Sequence, residues 1–189
     1  ISSIAKGLKI YEHTFVKELK EKIAVTNQGK ISFQKAIFTT HFPIDNKHGM
    51  YFLKMYQHRS YVIALKNAPI LEGMYVDERD KGLSFRNYSN CLLLGGGSHR
   101  TGKKGGNWSE LRDFANKYYS EAKEITFWAT QDCMSLDRMP YIGQYSKFKK
   151  NYYVATGFNK WGMTSSMVAA RILTDLITEK ENAYAEIFN

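Results

Sequence analysis

Tyr152-Tyr153-Val154-Ala155-Thr156 runs into Gly157-Phe158-Asn159-Lys160-Trp161-Gly162, and a helical pattern then continues from Thr164 to Ile177. The first five residues have the length and apolar character of a buried strand, and the two glycines mark a turn. Thr164, Ser165 and Ser166 suit a helix entry, where backbone N–H groups lack intrahelical partners. The reading is a strand, a close-approach loop and a helix start that accepts negative charge. Any strand-to-helix connection in an α/β protein shares this pattern, so the stretch decides local structure before it decides chemistry.

Composition bounds the rest. The 189 residues are 43% hydrophobic and 14% aromatic, which is globular and sufficient for a real core. No apolar run approaches the roughly 18 residues of a membrane span. The formal charge of +9 is spread along the chain through Lys17, Lys20, Lys22, Lys30, Lys35, Lys103, Lys104, Lys147, Lys149 and Lys150. Scattered lysines describe a solvated surface better than a nucleic-acid footprint, so no nucleic-acid or membrane partner is expected. Cys91 and Cys133 have no metal-ligand spacing and are expected as reduced thiols in a cytoplasmic protein. The opening Ile1 to Gly7 reads as the tail of a helix capped by Gly7, and the chain is expected to be a piece of a longer protein.

Taken in order, Lys9 to Val16 is expected as a strand. Lys22 to Thr26 and Lys30 to Gln34 alternate around Asn27-Gln28-Gly29, predicting a hairpin. Ala36-Ile37-Phe38 predicts a strand buried on both faces, leading to Thr39-Thr40-His41 and stopped by Pro43. Tyr51 to Arg59 suggests a short helix and Ser60 to Leu65 a strand. Met74 to Asp77, Leu83 to Tyr88 and Cys91 to Leu94 predict successive antiparallel strands. Asn107 to Glu110 has the signature of a capping box, followed by Leu111, Phe114, Ala115, Tyr118 and Ala122 at helical spacing. In the last helix Met167, Val168, Ile172, Leu173, Leu176 and Ile177 are expected in the core.

The glycine-rich stretch Gly95 to Gly106 contains Ser98, Thr101, Lys103 and Lys104, residue types that can cradle phosphate. It lacks the order of a P-loop and a helix directly after Lys104, so a flexible strand end and hairpin is the expected structure. It sustains an alternative function, a non-enzymatic basic module binding an anionic ligand or polyanion.

Two segments carry a resemblance. Tyr152 to Ile177 resembles the C-terminal strand, Gly-Phe loop and helix of the FAD-dependent oxidoreductases of the D-amino acid oxidase type, the glycine and sarcosine oxidase-like superfamily. Phe127 to Gly143 resembles the Trp…Thr-x-Asp-x-x-Pro-x-Ile-Gly element of the same oxidases, with Ser135, Asp137, Pro140, Ile142 and Gly143 as matches. The resemblance implies an α+β piece: a substrate-domain sheet with packed helices, and the later part of an FAD-binding domain including the hairpin. The implied division is 1–43 and 128–189 for the FAD-binding domain and 44–127 for the substrate domain.

The implied cofactor is non-covalent FAD, since the flavin-bearing Cys of some members aligns with Thr130. Val16 would meet the adenine side through its backbone, with Thr39 and Thr40 at the buried strand's end. Gly157, Phe158, Asn159, Lys160, Trp161, Gly162, Met163 and Thr164 would lie against the pyrimidine side. There the helix start and Lys160 would stabilise charge on the reduced ring. Tyr75, Arg86 and His99 are the candidates for the substrate side. The implied reaction is oxidation of a C–N bond of an amine or amino acid.

Three departures stand out. His41 replaces a Gly. The Arg that binds a substrate carboxylate is absent, with Gln131 and Asp132 nearest to its place. No Gly-x-Gly-x-x-Gly turn occurs, so the pyrophosphate cradle is expected on an N-terminal Rossmann segment, and this piece alone is expected to bind FAD weakly and to be inactive.

Overall fold

A computed structural model describes residues 7–46, 48–79 and 82–188. The helix tail expected before Gly7 lies outside them. The architecture is α+β, with three sheets among the described residues. Strands β1 (Val16–Lys20), β2 (Ile23–Thr26) and β3 (Lys30–Ser32) form an antiparallel meander. The expected hairpin is β2 and β3. The strand expected over Lys9 to Val16 begins only at Val16. The Asn27 side chain holds the preceding segment as a turn, accepting from Phe15 N at 2.6 Å and donating to His13 O at 3.0 Å.

A second sheet has the order β10 (Tyr141–Gln144), β11 (Tyr152–Thr156), β4 (Ala36–Phe38), with β4 parallel to β11 and β10 antiparallel to it. All five residues of β11 are buried. In β4 only Phe38 is buried, and Ile37 is 44% exposed, against the expectation of burial on both faces. The reason is that the helix α3 (Gly162–Ile177) covers β10 and β11 through Ala169, Ile172 and Leu173 but leaves Ile37 at the wall of an open groove.

The third sheet, ordered β6 (Tyr75–Val76), β7 (Ser84–Tyr88), β8 (Cys91–Arg100), β5 (Met55–Lys66), β9 (Lys123–Ser135), is antiparallel throughout. Helix α1 is confined to Tyr51–Lys54, and Met55 is already extended. The longer helix expected to Arg59 does not form because Met55 to Arg59 pair with Ser135 to Gln131 of β9, a non-local ladder invisible to local pattern. Helix α2 (Ser109–Tyr118) packs Leu111 and Ala115 on Tyr61, Ile63, Leu65, Leu92 and Leu94. Each fully buried aliphatic side chain there contributes roughly 1.5–3 kcal/mol. The capping box is not formed: Trp108 occupies the N-cap without a side-chain bond, and Asn107 Oδ1 accepts from Ser109 N at 2.6 Å instead.

Between the second and third sheets lies an aromatic core of Phe38, Tyr51, Met55, Cys133, Tyr145, Tyr152 and Val154. Tyr51 Oη donates to Tyr145 O at 3.1 Å, and Tyr145 Oη donates to Asp45 O at 2.7 Å. Burial first, then the neighbouring Tyr141 and Asp45 respectively, push both phenols far above their ordinary value of 10. Below that value both tyrosines are neutral in folded and unfolded chains and their stabilisation is complete. Above it the unfolded chain ionises first, so stability drains as pH rises. We expect a melting temperature that falls steeply as pH rises above about 9, with a shallower alkaline fall in the Y51F/Y145F double variant. An equal fall in both proteins would contradict this assignment.

Candidate functional site

The site is assembled where the end of β11 meets the end of β9. Gly157, with φ of 71°, leaves β11 in a conformation that favours glycine. A Cβ there would meet Met55 Sδ at 3.3 Å and Ser135 Cβ at 3.4 Å. Phe158 bridges to Met134, which ties the loop to β9. Asn159 then locks the turn: its Oδ1 accepts from Ser135 N at 2.9 Å, and its Nδ2 donates to Ser135 Oγ at 2.8 Å and Gly157 O at 2.7 Å. Its φ of 49° and that of Lys160, 70°, make the sharp bend that turns the Lys160 side chain back over the third sheet. There Lys160 Nζ donates to Ser98 Oγ of β8 at 3.3 Å.

Helix α3 starts at Gly162, two residues earlier than expected. Thr164 and Ser166 spend their hydroxyls on the carbonyls of Trp161 and Met163 and do not cap the helix. With no side-chain cap at Trp161, the first-turn N–H groups remain available to a ligand. Trp161 is 68% and Met163 86% exposed beside them. Met167 and Val168, expected in the core, are also exposed.

At the end of β4, His41 has φ of 68°, a left-handed conformation that glycine adopts more readily than other residues. Its carbonyl accepts from Thr156 Oγ1, and its Nε2 pairs with Gln131 O at 2.6 Å. Thr39, His41, Gly157 and Phe158 line a groove of about 620 Å3 bounded by α3. Thr40 is exposed and turned onto Phe42 O at 2.9 Å. Val16 lies in the meander sheet and lines neither this groove nor the cavity beside it.

That neighbouring cavity, about 760 Å3, is walled by the Asn159 to Trp161 loop, by His58 of β5 and by Ser98, His99 and Arg100 of β8. The substrate-side candidates are divided. His99 lines this cavity, stacked on Tyr61 at 5.8 Å, with its Nδ1 buried and unpartnered. Tyr75 and Arg86 line a different hollow of about 420 Å3 with Trp128 and Thr130.

His58 was not legible in the sequence. It is the direct cross-strand neighbour of Asp132, and its Nδ1 is buried without a partner. Burial, then Lys160, depress its pKa, while Asp132 opposes them. Lys160 is likewise lowered, chiefly by burial, with Asp132 opposing. The Gly95 to Gly97 run is no phosphate cradle: it is buried inside β8, and a Cβ on Gly95 would meet Ser84 Oγ at 2.5 Å. Cys133 is 2% exposed and its thiol is pushed up by burial, whereas Cys91 is half-buried. A disulfide-exchange reagent is expected to modify one thiol rapidly and the second only on unfolding. Rapid modification of both would overturn that placement.

The model of the family described as FAD dependent oxidoreductase matches residues 3–176. The chain is 36% identical over 197 residues to the candidate Rieske 2Fe-2S iron-sulfur protein YhfW of Bacillus subtilis (strain 168), covering 98% of this chain and 39% of that protein. Its fold is similar to glycine oxidase from Geobacillus kaustophilus, at TM-score 0.76 and 20% identity, over 96% of this chain and 52% of that one. It is also similar to L-proline dehydrogenase from P. horikoshii, at TM-score 0.74 and 18% identity, over 97% and 54% respectively. The chain thus spans about half the length of these solved structures. With the family match covering both the groove and the loop above it, the chain belongs to the FAD-dependent oxidoreductases.

Proposed function

We propose that this chain forms the flavin-ring wall and the substrate sheet of an amine or amino acid oxidoreductase, with the pyrophosphate cradle supplied by a dinucleotide-binding segment. Residues 1–43 and 128–189 would belong to the FAD-binding domain and 44–127 to the substrate domain. The observation that carries the reading is the Gly157 to Gly162 loop. It bends between the groove at the end of β11 and the cavity of the third sheet, and it sends Lys160 across to Ser98.

The residues fit a flavin. Uncapped N–H groups at the start of α3 and the Lys160 amine can face the electron-rich carbonyl edge of the ring, and exposed Met163 and Trp161 offer apolar cover. Bound FAD would supply the electron acceptor for the substrate C–H bond. The chain's own part is to hold the substrate over the open sheet face and to exclude water from that face. The exposed Ile37 on β4, which is an edge strand among the described residues, supports a further segment packing there.

Produced together with its dinucleotide-binding segment, the protein is expected to purify yellow, and this chain alone colourless. A colourless pair that free FAD cannot reconstitute would defeat the proposal.

A further inference from the structure

Lysines that are spread along the sequence converge at the start of β11, the end opposite the Gly157 loop. Lys20 and Lys22 flank the β1–β2 turn, and Lys147, Lys149 and Lys150 lie on the connection from β10 to β11. Lys20, Lys22, Lys149 and Lys150 line a hollow of about 660 Å3 in which Glu21 is the single carboxylate among the described residues. Lys54 and Lys147 line a second hollow of about 310 Å3, with no carboxylate among its described residues. Lys20 is paired with Glu18 at 3.1 Å, whereas Lys22, Lys147 and Lys150 are in no ion pair among the described residues. Two of the cations are held at the walls by aromatic rings: Lys149 Nζ lies 5.5 Å from the centre of Tyr152, and Lys54 Nζ 5.5 Å from that of Tyr51.

Phe148 lines both hollows and so stands between them. It is 87% exposed, and Met50 and Ile23 on the hollow walls are exposed as well. The face thus joins an apolar tip to cations on either side. A small anion would satisfy the lysines and leave Phe148 in water. An acidic protein would need carboxylates and, in addition, a socket shaped for the ring. A sheet of anionic headgroups over an acyl layer supplies both charge and apolar depth, with no shaped socket. The face lies roughly 15 Å along β11 from the Gly157 loop, so an occupant here leaves the candidate site open.

We propose that this face docks on an anionic phospholipid surface, with Phe148 entering the acyl boundary and the lysines beside it meeting lipid phosphates at the two hollows. No helix among the described residues is long and apolar enough to cross a membrane, so the contact is peripheral. Lysine spacing in the sequence does not reveal this partner, because the cations come from three segments that only the fold brings together.

Vesicle flotation of the full chain is the test. The chain is expected to float with vesicles of phosphatidylglycerol and phosphatidylcholine in equal parts but not with phosphatidylcholine alone, and to be released as salt rises above about 0.1 M. F148S should weaken binding about fivefold or more, and K147E/K150E roughly tenfold or more. K66E/K123E makes the same change of charge on the third sheet and should leave binding unchanged. Phe148 and these four lysines are exposed, so circular dichroism matching the parent chain will show that each variant is folded. No binding to the anionic vesicles, an equal loss in the two lysine variants, or binding untouched by F148S would each overturn the proposal. Tighter binding to poly-glutamate than to the vesicles would also overturn it, assigning the face to an acidic protein.

Discussion

Gly106→Ala is expected to destabilise the chain by about 3–5 kcal/mol, combining the cost of a left-handed alanine with overpacking. Gly106 has φ of 63°, and a Cβ there would lie 2.4 Å from Gly97 O, 2.4 Å from His99 Nδ1 and 2.7 Å from Tyr61 Cε2. The first of these is backbone in the middle of β8 and cannot give way without breaking the sheet. The other two form the Tyr61–His99 stack, so the substitution strikes the cavity wall and the core beneath it together. Urea unfolding measures the loss. A change below about 1 kcal/mol would mean that the 101–106 loop is free to move away from β8. Gly102, where a Cβ meets nothing within 4 Å, provides the comparison: its φ of 85° makes alanine unfavourable by conformation alone, so Gly102→Ala should cost much less.

Asn159→Ala is the second large effect. Three hydrogen bonds disappear, and Ser135 N is left without its partner in a residue only 2% exposed. Orphaning a buried donor costs about 1–3 kcal/mol, and alanine at φ of 49° adds about 1 kcal/mol. A total near 3 kcal/mol is expected. Asn159→Asp separates the parts, since an aspartate retains the acceptor for Ser135 N and tolerates the left-handed backbone but donates nothing to Ser135 Oγ or Gly157 O. It should lose roughly half as much. Release of the loop should also free Lys160 from Ser98, visible as increased motion of the Lys160 amide on the nanosecond scale. A rigid Lys160 in the alanine variant would show that Phe158 and the helix start hold the loop without Asn159.

Local chemistry made some of this visible in advance and could not reveal the rest. The β2–β3 hairpin is written in alternation around Asn27-Gln28-Gly29, and the strand, loop and helix after Tyr152 are written in apolar run, paired glycines and helical spacing. These signals are carried by neighbours in sequence. The short α1 was misread because Tyr51 to Arg59 has helical composition, while its outcome is set by pairing with residues near 131–135. The same ladder hides the site. His58 and Asp132 are far apart in sequence, and only the antiparallel register makes them neighbours. Exposure of Met167 was illegible for a different reason: helical spacing marks an apolar side chain for burial but does not identify the surface that would cover it. His41 shows the limit of reading residue type, since its backbone adopts a glycine-like angle with a side chain that pairs to Gln131 O.

The β5–β9 ladder runs without interruption from Met55↔Ser135 to Lys66↔Lys123, with one irregularity near Ala64. Met55 and Cys133 at one end belong to the aromatic core, whereas Tyr61, Ile63 and Leu65 at the other belong to the α2 core. Two cores that share a pair of continuous strands cannot melt separately, because loosening either one exposes the ladder of the other. Calorimetry of the chain should accordingly show a single transition whose van't Hoff and calorimetric enthalpies agree. The most protected amides in hydrogen exchange should lie along β5, not within any one core.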